Sequence, residues 1–233
     1  VALMAVLAVL LGIRYKDKPF AQKNRVLQAA AIVLDGAEII RIIIVCIRSG
    51  DIGDVLYNLP LFLCSIQLIS VPLAAFSKGR IKEAALDFVC IFGMLGAILG
   101  TYLAGNNYSV YPVLSFDNVA SAITHTVAGF AALYLMICGM ASMKKQNIWI
   151  AVVIFLSFCV AAYIANLFTG GNYMFLKAGD GTPYDIVYNW VNGHKVLYPV
   201  LVSCLTMVYM ALFYGVYYYI VEHKKSVKQH QNA

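Results

Sequence analysis

The chain has 233 residues, of which 62% are hydrophobic and only 12% charged, with a formal net charge of +6. Soluble domains hold about 45–50% apolar and roughly a quarter charged residues, so a soluble protein of this size could not bury the surplus, which must face lipid. The basic residues stand in short clusters between apolar runs, with no basic face or arm, which argues against a nucleic-acid partner and fits cytoplasmic loops beside anionic lipid.

A spanning helix needs about 20 apolar residues, and on that measure the sequence predicts an all-α, polytopic bundle of about seven transmembrane helices in a single domain, 1–233. The first span, 1–13, is short and opens at Val1 in the middle of an apolar run, so its start is expected upstream. The second, 26–47, carries Asp35, Glu38 and Arg41 at i, i+3 and i+6, on one helix face. The third, 56–76, carries Cys64 and Gln67, and the fourth is 84–104. The fifth, 119–140, holds Ser121 and His125, and the sixth, 148–169, holds Tyr163 and Asn166. A long polar segment, 170–196, follows with Asn172, Tyr173 and Trp190, and the seventh span is 197–221.

Orientation follows from charge. Thirteen of the seventeen lysines and arginines fall in alternate loops, among them Arg14, Lys16, Lys78, Lys144 and Lys224. That asymmetry places those loops and the C-terminus in the cytoplasm and the N-terminus outside. The expected location is an integral membrane, the plasma membrane of a bacterium or an endomembrane of a eukaryote. The six cysteines are scattered through apolar runs without a C-x-x-C pair, so neither a disulfide framework nor a metal site is expected.

Ionisable and strongly polar groups inside spans are costly and are functional candidates by default. At 1.5 Å per residue, Cys64 is expected ~12 Å and His125 ~9 Å below the outer boundary. Glu38, Arg41 and Asn166 fall in the same outer half, so four helices direct polar groups toward one outward-facing cavity. Each residue also has a plainer reading. Glu38 and Arg41 could be an ion pair that lets a helix insert, Gln67 and Asn166 could be interhelical hydrogen-bond partners, and Cys64 could be inert packing. A thiol and an imidazole at matching depth are the minimal arrangement for making a nucleophilic thiolate. A small-solute transporter using Asp35, Glu38, Arg41 and His125 is the rival from another class, though no inverted repeat is visible. A seven-helix receptor has no feature in its favour, and thiol redox chemistry lacks two neighbouring thiols.

The segment Asn58-Leu59-Pro60-Leu61-Phe62-Leu63-Cys64-Ser65, then His125, then Asn166 with Gly170-Gly171-Asn172-Tyr173-Met174-Phe175-Leu176, resembles the transmembrane protein 164 family, including its bacterial YwaF-like members, over about residues 26 to 221. The chain departs from the bacterial pattern at Phe62 and Ser65, where His and Asp are frequent. The resemblance implies a seven-helix acyltransferase acting on phospholipid acyl chains, with Cys64 and His125 as the catalytic pair. Membrane phospholipids and lysophospholipids would be its partners, and no metal or soluble cofactor is needed. Glu38, Arg41, Gln67, Asn166, Asn172 and Tyr173 are the expected substrate-binding residues. With water as acceptor, the same site would be a lipid hydrolase.

Overall fold

The structure is a computed structural model that describes residues 2–102, 112 and 114–231. The regular structure among the described residues is all helical, with no strand. Val1 and the 103–104 end of the fourth expected span lie outside them. The chain divides into two compact units, Val1–Met174 and Phe175–Ala233.

Among the described residues the first unit has six α-helices: α1 (Ala2–Tyr15), α2 (Phe20–Ser49), α3 (Gln67–Phe76), α4 (Gly79–Tyr102), α5 (Phe116–Cys138) and α6 (Ile148–Thr169). Helix α5 is central and packs on α1, α2 and α4, while α4 also packs on α3 and α6. Small residues make the α4–α5 approach close. A Cβ on Gly129 would lie 2.7 Å from that of Ala97, and one on Gly93 would lie 2.9 Å from that of Ala132. Beside this seam, Phe92 and Phe155 stack with ring centroids 5.7 Å apart.

Helix ends are closed by local chemistry. Gly50, Gly139 and Gly170 take left-handed conformations after α2, α5 and α6, and Ser115 accepts the Asn118 N–H at the start of α5. Some residues of the basic loops serve as caps. Lys23 Nζ donates to the Cys138 carbonyl at 2.8 Å, and Lys82 Nζ and Asn24 Nδ2 both donate to the Ala75 carbonyl at 2.9 Å. Each satisfies last-turn carbonyls that lack a helical donor, and the lysines bring positive charge to the negative end of the dipole. Glu83 at the start of α4 pairs with Lys144 at 2.6 Å and accepts from Asn147. Those two donors hold its carboxyl below the usual range.

Among the described residues three stretches are long and apolar enough to cross a membrane: Phe116–Cys138, Lys145–Thr169 and Leu197–Val221. Helix α6 shows how lipid exposure and burial divide one helix. Val153, Val160, Leu167 and Phe168 are exposed, whereas Ala151, Phe155, Cys159 and Asn166 are buried. The second unit contains the short α7 (Tyr184–Trp190), inside the long segment after α6, and α8 (Leu197–Gln231) on which α7 packs. Tyr188 meets Tyr198 edge to face at 5.1 Å between centroids.

The main departure from expectation is the third span. Instead of a continuous helix over 56–76, a 3-10 turn over Ile52–Tyr57 leads through an irregular stretch and a turn into α3, only ten residues long. Pro60 explains the break, because it has no N–H to donate and disfavours helical geometry at Leu59. Cys64 therefore stands in a turn immediately before α3.

Candidate functional site

Three elements of the first unit build the site. From α2, Arg41 closes a fork on Glu38, with Nε to Oε2 at 3.0 Å and Nη2 to Oε1 at 2.5 Å. Its Nη1 donates to Asn58 Oδ1 at 3.0 Å, and Asn58 Nδ2 in turn donates to the Asp54 carbonyl at 2.8 Å. The bidentate geometry is the one a planar guanidinium offers and an ammonium cannot. The ion pair is thus also the anchor of the irregular stretch before Cys64.

Cys64 is seated against α4. A Cβ on Gly96 would lie 3.2 Å from the Cys64 Cα and 3.5 Å from its Cβ. The thiol lies 3.9 Å from Ser65 Oγ. Gln67, the first residue of α3, is buried; its Oε1 accepts from Ser70 Oγ at 2.9 Å, while Nε2 has no partner among the described residues.

His125 lies on α5, one turn before Gly129, and is half-buried. It makes no hydrogen bond to Cys64 in this structure, whose hydrogen-bonding side-chain neighbour among the described residues is Ser65. Glu38, Cys64 and His125 stand on α2, the turn before α3, and α5, and α2 packs on both α3 and α5.

At the end of α6, Asn166 and Tyr173 are each 2% exposed. Asn166 Oδ1 accepts the Tyr173 N–H at 2.6 Å, and its Nδ2 donates to the Tyr173 carbonyl at 3.0 Å. The Tyr173 hydroxyl donates to the Leu56 carbonyl at 2.7 Å and accepts the Leu59 N–H at 3.3 Å, and its ring lies 5.1 Å from that of Phe62. Burial pushes the Tyr173 phenol up, so it stays a donor. Both residues brace the polypeptide, and Asn172 stands beside them in the loop. Among the described residues no group of three or more His, Cys, Asp or Glu side chains is arranged to hold a metal ion.

A family model described as the TMEM164 family matches residues 1–220. The chain belongs to the TMEM164 family. With its lipid-facing apolar helices, this makes it a membrane protein. No curated protein and no solved structure matches it.

Sequence reasoning singled out Glu38, Arg41, Cys64 and His125 but missed Asn58 and Gly96. Asn58 sits in a loop-like NLP triplet with nothing to announce an arginine partner. Gly96 could have been found from the spacing of Gly93, Gly96 and Ala97 against Ala128, Gly129 and Ala132, a small-residue pattern that permits close helix approach.

Proposed function

We propose that this family member is a membrane acyltransferase that moves fatty acyl chains between phospholipids through a thioester on Cys64. The observation that carries the reading is the seat of Cys64: a thiol in a turn rather than within a helix, set beside Ser65 Oγ and close against Gly96 of α4. His125 takes the thiol proton, and the sulfur attacks the ester carbonyl carbon of a glycerophospholipid. The ester C–O bond breaks, and the lysophospholipid leaves with the proton from His125. An acceptor lysophospholipid then gives its hydroxyl proton to His125, attacks the thioester carbonyl and frees the thiol.

Charge develops on the carbonyl oxygen in both steps. The Gln67 Nε2 is the side-chain donor best suited to receive it, and one such donor is typically worth about 3–4 kcal/mol. Arg41, with Glu38 fixing its orientation, offers its remaining N–H groups to the lipid phosphate. Apart from forming the thioester, catalysis here is positioning and proton transfer, for which His125 has to come within hydrogen-bond reach of the sulfur; catalytic hydrogen bonds commonly tighten on substrate binding.

The test is transfer of a labelled acyl chain from phosphatidylcholine vesicles to lysophosphatidylcholine by the purified protein. Cys64→Ala and His125→Ala should each reduce transfer by at least about a hundredfold while leaving the protein folded. Transfer that persists in Cys64→Ala removes the proposal, and release of free fatty acid in place of transfer reassigns the site to hydrolysis.

A further inference from the structure

We propose that Tyr173 is a positioning residue that fixes the Cys64 turn from the α6 side, with Asn166 holding Tyr173 in place. The stretch between the Ile52–Tyr57 turn and α3 has little regular structure to set its path. It is fastened at two flanks. On one, Arg41 grips Asn58. On the other, one phenolic oxygen bridges the Leu56 carbonyl and the Leu59 N–H, and the ring packs on Phe62, two residues before Cys64.

The geometry explains why a tyrosine is required. The Leu56 carbonyl and the Leu59 N–H stand three residues apart at a part-buried contact, one an acceptor and the other a donor, and a hydroxyl, being both donor and acceptor, can bond to both at once. Phenylalanine would fill the same space and satisfy neither. Asn166 does for the Tyr173 backbone what Tyr173 does for the turn, supplying a matched acceptor and donor. Met174, immediately after, has a φ of +54°, a left-handed conformation uncommon for a residue other than glycine. The doubly bonded Tyr173 backbone is what directs the chain into it.

The inference goes beyond the acyl-transfer reading but borrows its nucleophile, so the experiment separates the two. In the purified full-length protein, peptide-resolved alkylation by N-ethylmaleimide reports Cys64 alongside the fully buried Cys90 and Cys138. Tyr173→Phe should speed alkylation of Cys64 by about tenfold, the loss expected from two net hydrogen bonds of moderate strength. Cys90 and Cys138 should not change, and Asn166→Ala should act in the same direction. Tyr57→Phe, a change to an exposed phenol in the same segment, should leave all three rates as they are.

In the vesicle assay, Tyr173→Phe should lower kcat with KM kept. An unchanged Cys64 rate in both variants overturns the proposal, and so does a rise shared equally with Cys90 and Cys138, which would mark general loosening. If Cys64 responds as expected in a protein that shows no acyl transfer at all, Tyr173 keeps its positioning role and the acyl-transfer reading falls.

Discussion

Arg41 and Glu38 are exposed by only 20% and 14% along their side chains, and each is the other's main compensation for leaving water. Removing one partner strands a charge, which typically costs about 3–5 kcal/mol, whereas replacing both with apolar groups of similar volume is often near neutral. Arg41→Met should therefore lower the unfolding temperature in detergent markedly, and Glu38→Leu with Arg41→Met should recover most of the loss. A double variant as unstable as the single one would show that Asn58, not Glu38, is the partner that matters. This pair was legible because opposite charges at i and i+3 share a helix face, and an apolar run gives neither of them water to turn to. Asn166 was legible only as a polar group in a span: a side chain's type is visible in a sequence, but the backbone it satisfies is not.

Helices α4 and α5 meet through glycine and alanine, so their spacing is set where no side chain can rotate aside. Gly129→Val would drive a Cβ to 2.7 Å from that of Ala97, and overpacking of this kind costs about 1–3 kcal/mol. Gly36→Ala, on α2 with nothing within 4 Å of the added carbon, should instead stabilise by about 0.5–1 kcal/mol. Thermal unfolding of the two variants in one detergent should shift in opposite directions; shifts of the same sign would refute the seam as described. Most helices could be read from apolar runs of spanning length, and α6 begins and ends where its run does. The third span could not, because 56–76 carries no charged residue to mark a break and hydropathy does not register what Pro60 does to backbone hydrogen bonding. The short α7 escaped for the opposite reason, lying in a polar segment too short to show a period.

Across the whole molecule the basic loops define a side. Single-cysteine variants at Lys145 and at Lys195, made in a cysteine-free background, should differ in labelling by a membrane-impermeant maleimide on intact cells. Lys195 should react and Lys145 should not, and the reverse pattern would invert the topology. Helix α2 also bears on how the chain enters the bilayer during synthesis. Asp35, Glu38 and Arg41 sit in its middle, and a charged residue at a helix centre opposes translocon-mediated insertion by about 2.5–3.5 kcal/mol. The fork between Glu38 and Arg41 removes part of that opposition, but Asp35 keeps its own. Segment α2 must therefore wait beside the translocon until α5, on which it packs, has been made, so that ribosomes halted before α5 would leave α2 unintegrated.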